Sequence, residues 1–207
     1  MRELGAEVVL DGDDFDVAKA RARDHAAERD GCVFVEDGQD PRIAEGAGTI
    51  AVELAPLDLD AVIVPVGNGA LISGIGHWMK AHSPRTRVVG VCAEAAPSMA
   101  ISWRSGKPTA TDTAATIADG IAVRVPVPEA VEWMRDVVDD IVLVSEDQIR
   151  QALWTIRDAV GMIVEPAGAV GVAGALVHRL PIATQATILT GSNISSELMR
   201  TLAPKPR

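Results

Sequence analysis

The 207-residue chain contains two cysteines, no cluster of basic residues, no tract resembling a membrane span and no internal repeat. Each absence removes a class of function. A span needs about 18 consecutive apolar residues, and no uninterrupted run reaches that length. The opening MRELGAEVVL lacks a signal-peptide layout, so the expectation is a soluble, cytoplasmic protein. The net charge of −10, with arginine and lysine scattered, argues against a nucleic-acid partner, whose phosphates need a basic patch. Cys32 and Cys92 each lie in an apolar, strand-like run without CxxC or histidine spacing. They are therefore expected to be buried thiols in a reducing compartment, not disulfide partners or metal ligands. What remains is a chain that is 48% hydrophobic. At this length it can bury about 70% of its unfolded surface, enough for one sizeable core.

Apolar clusters rich in valine and isoleucine recur at residues 6–10, 32–35, 61–66, 87–92, 141–144 and 186–189, and these are the candidate strands. Residues 61–66 and 88–92 are apolar at nearly every position, the pattern of parallel strands covered on both faces. Helices announce themselves between them. Asp40-Pro41 places a capping side chain before a proline at the first helical position and opens a segment to about Leu54. Ser145-Glu146-Asp147-Gln148 has capping-box form, after which Ile149, Leu153, Ile156 and Val160 share one helical face. Glu165-Pro166 starts a segment to about Val177 whose alanines and glycines permit close packing. The alternation predicts an α/β fold with a mainly parallel sheet and right-handed crossovers. Residues 95–128 read as a long loop with short elements, a type of loop that often carries function.

The stretch Pro65-Val66-Gly67-Asn68-Gly69-Ala70-Leu71-Ile72-Ser73-Gly74-Ile75-Gly76 follows the apolar run at 61–64 and precedes His77-Trp78-Met79-Lys80, so a strand runs through a glycine-rich turn into a helix. A glycine turn at the carboxyl end of a parallel strand exposes backbone N–H groups beside a helix N-terminus, an arrangement suited to phosphate. Gly67 and Gly69 permit positive φ and close approach of the backbone to oxygens. The dinucleotide fingerprint fails, because Ile72 stands where its third glycine belongs, and the Walker loop's Gly-Lys-Ser/Thr is missing. By itself the turn also fits a plain strand-to-helix connection with no ligand.

It does not stand by itself. Taken with Gly46-Ala47-Gly48-Thr49-Ile50, Thr116-Ile117-Ala118-Asp119-Gly120-Ile121-Ala122-Val123, Val164-Glu165-Pro166-Ala167-Gly168-Ala169 and Leu189-Thr190-Gly191-Ser192-Asn193-Ile194-Ser195, the turn resembles the fold type II pyridoxal-phosphate enzymes. Within them the chain is most similar to threonine dehydratase (threonine ammonia-lyase) and its serine dehydratase and serine racemase relatives, from about Leu4 to Ser196. The resemblance implies a three-layer α/β fold of the tryptophan synthase beta type, incomplete at the N-terminus. Residues 1–30 would be a remnant of the small domain and 31–207 the C-terminal part of the large one. It implies pyridoxal 5'-phosphate as cofactor, with backbone amides of Gly67, Asn68, Gly69, Ala70 and Leu71 holding its phosphate. Asn68 and Ala70 depart from the family's glycine run, and glycine at 68 is expected to serve equally well. Gly120 would line the ring near its phenolic oxygen, Glu165 would lie near the ring, and the Thr190 hydroxyl would face the ring nitrogen. A hydroxyl there stabilises a protonated ring nitrogen weakly, which suits β-elimination. Glu94 matches a divalent-cation ligand of several relatives, but the stretch after it, Ala95-Ala96-Pro97-Ser98-Met99-Ala100, holds no second acid, so a metal site is not expected. Its plainer reading is a solvated loop residue. His25, His77, His82 and His178 share no spacing and read as structural or surface residues.

One essential part is missing. Pyridoxal-phosphate chemistry needs a lysine that holds the cofactor covalently and moves the substrate's α-proton. In this family it lies in a Ser-x-Lys type motif, followed by a loop that grips the substrate carboxylate. Lys19, Lys80, Lys107 and Lys205 are the only lysines, and none matches. The resemblance thus implies the C-terminal part of a lyase acting on L-threonine or L-serine, inactive alone, forming a homodimer or larger species and lacking an appended regulatory domain. A racemase-type enzyme and a non-catalytic phosphate-binding or interaction remnant are the alternatives. An in-frame Ser-x-Lys motif upstream of Met1 would separate the lyase from the remnant.

Overall fold

The computed structural model describes residues 1–178, 183–194 and 196–201, in two compact units, Met1–Glu36 and Asp37–Arg207. Lys205 and Ser195 lie outside the described residues.

The first unit is built on helix α1 (Phe15–Ala27), which starts where the Asp14 side chain accepts the Val17 N–H at 2.8 Å. Its charged surface buries no residue. The ordered contacts are ionic: Lys19 lies 3.0 Å from Glu36, Arg23 donates to the same carboxylate, and Asp11 pairs with Arg21. Burial alone would raise the Glu36 carboxyl, but hydrogen bonds and charge from Lys19 and Arg23 outweigh it and hold it below the ordinary 4.5. A carboxyl depressed in the folded state contributes stability above its unfolded value and loses it as pH falls through the lower folded one. This unit should therefore loosen below pH 4.5, and Glu36→Gln should flatten that acid limb in helical circular dichroism. An acid limb identical in the variant would refute the assignment.

Two of the expected strands are absent here. Residues 6–10 and 32–35 form no ladder, and Val9, Leu10, Val33 and Val35 are exposed. Their β-propensity has no partner among the described residues, and a single strand cannot satisfy its own backbone. For the same reason Cys32 is exposed, against the expectation of burial, while Cys92 is buried. Burial pushes the Cys92 thiol up to about 12, which leaves it inert at neutral pH.

The second unit carries a four-stranded, all-parallel sheet in the order β3-β2-β1-β4, formed by β1 (Ala61–Pro65), β2 (Arg87–Ala93), β3 (Asp140–Val144) and β4 (Gln185–Thr187). Val62 pairs with Val88, Gly90 with Ile141, and Ile63 with Thr187. All five residues of β1 are buried, as a strand covered on both faces requires. Alternate residues feed two cores. Val62, Val64, Val88, Cys92 and Ile141 pack beneath α3 (Ala70–His82) and α5 (Pro128–Val137), with Ala51 of α2 (Pro41–Leu54). Ile63, Val89, Val91, Val142 and Val144 pack on the other side, against α6 (Glu146–Val160) and α7 (Pro166–Val177).

Local signals explain the helix bounds. Asp40 accepts the Arg42 N–H at 3.0 Å ahead of Pro41, and Ser145 with Gln148 forms the full capping box. Val160, however, is exposed, because α6 ends there at Gly161 and the last turn runs past the core. The segment 95–128 is more ordered than its composition suggests, holding α4 (Ser98–Ser105) and a 3-10 turn at Asp119–Ile121. A short helix α8 (Ser196–Thr201) completes the described residues. No described helix is long and apolar enough to cross a membrane.

Close helix approaches depend on glycine. A Cβ on Gly74 would overlap the Ala44 carbonyl, and one on Gly48 would lie 3.1 Å from the Gly74 oxygen, so α2 and α3 meet backbone to backbone.

Candidate functional site

The chain leaves β1 through Pro65 and Val66, whose N–H donates to Val91 at 2.9 Å, and turns at Gly67-Asn68-Gly69 into α3. Gly69 caps the helix in the left-handed region, at φ 93°, and contributes no side-chain cap. The N–H groups of Ala70 and Leu71 open α3, where no intrahelical acceptor exists for them. They remain for an external acceptor, in the positive end of the helix dipole. Beneath the turn, a Cβ on Gly69 would lie 2.9 Å from the Met134 sulfur and 3.2 Å from Ala130, so a larger residue would have to displace Met134 as well as hold a left-handed backbone.

Three of the other segments singled out in the sequence link up from this turn, while residues 46–50 lie in α2 and pack on α3 at Gly74. Gly67 abuts the Asp119–Ile121 turn, where an added Cβ would come within 3.0 Å of the Gly120 carbonyl. That turn is fixed by the Glu146 carboxylate accepting the Ile117 N–H at 2.8 Å and by Ala118 accepting from Ile121 at 3.0 Å. Gly120 in turn sits against α7, 3.0 Å from Ala167 and 3.8 Å from a Glu165 oxygen by the same measure. Glu165 caps α7, donates its N–H to Gly191 at 3.2 Å, and accepts from Gly168 at 2.9 Å. A Cβ on Gly168 would overlap the Thr190 carbonyl, and one on Gly191 the Glu165 carboxylate. Gly67, Gly120, Glu165 and Thr190, spread over more than half the chain, thus form one continuous chain of backbone-close contacts. Gly191, at φ 69°, was not singled out in the sequence as a site residue. The signal for it was its place directly after Thr190 in a turn.

Asn68 is less passive than its sequence reading suggests. It is buried, and its Nδ2 donates to Asp37 Oδ1 at 2.8 Å. Glu94 follows the last residue of β2, its N–H donates to the Val144 carbonyl at 2.9 Å, and the residue is exposed. Among the described residues no group of three metal-ligating side chains gathers. Of the histidines, His25, His77 and His82 are exposed, and the His178 ring lies 3.0 Å from the Leu143 carbonyl.

A family model for pyridoxal-phosphate dependent enzymes matches residues 1–191. The chain belongs to that family. It is 38% identical over 202 residues to the L-threonine ammonia-lyase of Thermotoga maritima, covering 96% of this chain and 50% of that protein. It is 39% identical to the catabolic L-threonine dehydratase of Escherichia coli K12, covering 93% of this chain and 60% of the relative. The processed threonine deaminase isoform 2 of Solanum lycopersicum superposes with a TM-score of 0.89 at 31% identity, covering 97% of this chain and 57% of that one. The chain therefore spans 50 to 60% of the length of these relatives. The parallel sheet with helices on both faces is the family's fold, and pyridoxal phosphate is its cofactor.

The residues present fit the phosphate end of that cofactor. The turn at Gly67–Gly69 is seated closely on Gly120, Ala130 and Met134, and it lies at a helix N-terminus whose first N–H groups have no intrahelical acceptor. A covalent anchor is a different matter. Lys80 is eleven residues beyond Gly69 on α3, about 16 Å along the axis at 1.5 Å per residue, and its ammonium is paired with Asp139 at 2.6 Å. Lys19 is held by Glu36 and Asp16, and Lys107 lies in the loop after α4.

Proposed function

We propose that this chain forms the phosphate-binding and ring-nitrogen side of a threonine ammonia-lyase, which converts L-threonine to 2-oxobutanoate and ammonia. The convergence of the glycine turn, Gly120, Glu165 and Thr190 at one end of β1 carries the proposal, and the similarity to threonine ammonia-lyases narrows the substrate. In this reading residues 1–30 are a remnant of the small domain and residues 31–207 are the C-terminal part of the large one.

Bound at the turn, pyridoxal phosphate supplies the electron sink that makes an amino acid's α-proton removable. The amides of Gly67, Asn68, Gly69, Ala70 and Leu71 hold the phosphate, and the dipole of α3 favours its charge. Gly120 has no side chain, so its backbone would allow close approach of the ring. The Thr190 hydroxyl offers the ring nitrogen a neutral partner, and that bias favours loss of the β-hydroxyl over racemisation. Glu165 stands between Gly120 and Gly191, holding both loops at that distance. The lysine that moves the α-proton comes from a segment outside this sequence, supplied by a longer form of the protein or by a second polypeptide.

The chain mixed with pyridoxal phosphate and then reduced with borohydride should retain no stoichiometric cofactor on any one lysine, as read by mass spectrometry of peptides. A defined adduct on Lys80 or Lys107 would show that the chain carries its own anchor.

A further inference from the structure

Gly38 holds φ at +84°, and a Cβ there would lie 2.5 Å from the Asn68 carbonyl oxygen and 3.3 Å from the Asn68 side chain. The turn that leads into α2 is thus packed directly on the turn that leads into α3. One side-chain hydrogen bond crosses this contact, from Asn68 Nδ2 to Asp37 Oδ1 at 2.8 Å. The Asn68 residue is 5% exposed, and among the described residues its Oδ1 has no hydrogen-bond partner, so the Asp37 bond is the polar contact that orients the amide. A glycine at 68 would remove that bond, free the backbone at the centre of the cradle and open a void where a buried side chain had been.

We infer that Asn68 is a positioning residue: its bond to Asp37 fixes the glycine turn against residues 37–40 and so sets the affinity of the cradle for the cofactor's phosphate. This rests on the reading of the turn as a phosphate cradle. Backbone amides bind an anion well only when their directions are fixed beforehand, because ordering them on binding subtracts from affinity. A turn with two glycines has little intrinsic order, and Asn68 supplies it from a neighbouring element.

The test compares Asp37→Ala, Asp37→Asn and Asn68→Gly with the unaltered chain. The two Asp37 variants lose the same charge, but only Asp37→Asn keeps an acceptor for Asn68, so their difference reads the hydrogen bond alone. By titration calorimetry, Asp37→Asn should bind pyridoxal phosphate about two- to tenfold more tightly than Asp37→Ala, the range of one hydrogen bond. Asn68→Gly should weaken binding at least as much as Asp37→Ala does. Amide exchange measured without ligand should quicken at residues 67–71 in Asn68→Gly and Asp37→Ala, stay slow in Asp37→Asn, and remain unchanged in β1 throughout. Equal affinities for the two Asp37 variants, or undiminished binding by Asn68→Gly, would overturn the inference. So would uniform exchange at 67–71 in all four proteins. An unaltered chain that binds no pyridoxal phosphate while the exchange pattern holds would instead refute the phosphate reading of the turn.

Discussion

Joined to a lysine-bearing N-terminal segment from a threonine ammonia-lyase, this chain should release 2-oxobutanoate from L-threonine, and the same assembly with that lysine replaced by alanine should release none. The expected effect is close to all-or-nothing, because in this reading the added segment supplies the only lysine that holds the cofactor and moves the α-proton. Thr190 provides the internal check. It lies where α7 and the strand end meet, its carbonyl pressed against Gly168. Thr190→Ser keeps the hydroxyl and should retain most turnover. Thr190→Ala should weaken cofactor binding by about two- to tenfold, since one neutral hydrogen bond contributes about 0.5–1.5 kcal/mol. Thr190→Asp is the sharper change. A carboxylate would favour a protonated ring nitrogen and move the balance from elimination toward α-proton exchange, measured as deuterium incorporation against 2-oxobutanoate formed. A ratio that did not move would remove Thr190 from the ring nitrogen.

Gly69→Val should abolish binding of pyridoxal phosphate and destabilise the chain by about 2–5 kcal/mol, the sum of a left-handed backbone conformation and overpacking. Both contributions are visible in the structure. The residue holds φ at 93°, and its Cβ would meet the Met134 sulfur at 2.9 Å, Ala130 at 3.2 Å and Met99 at 3.3 Å. Gly161→Ala separates strain from site. Gly161 has a similar φ of 71° but open space around it, so that variant should lose only about 1–2 kcal/mol and keep its ligand. Urea melts measure the first quantity, and calorimetry well below the melting transition measures the second. If Gly69→Val bound as tightly as the unaltered chain, the phosphate site would lie elsewhere.

Signals that act over a few residues were legible in the sequence. Asp40-Pro41 starts α2 and Leu54 ends it, because a cap and a fixed proline φ need nothing from the rest of the chain. The capping box at Ser145 and the unbroken apolar run of β1 follow the same logic, and so does the turn from β1 into α3. By resemblance the sequence also named Gly67, Gly120, Glu165 and Thr190 together, though nothing in their spacing says that they touch.

Whatever depends on a distant partner was decided by tertiary structure. Residues 6–10 and 32–35 have the composition of strands, yet a ladder needs a neighbour, so they stay unpaired and Cys32 with them is exposed. Val160 repeats correctly on its helical face but falls beyond the end of the core. Asn68 reads as a lapse in a glycine run until Asp37, thirty-one residues earlier, is found 2.8 Å away. The sequence by itself determined the elements and their caps, since those energies are local. The fold alone determined which glycines face a carbonyl, which strand finds a partner and which side chain holds the turn in place. Those outcomes depend on contacts between residues that the chain brings together only when the sheet closes.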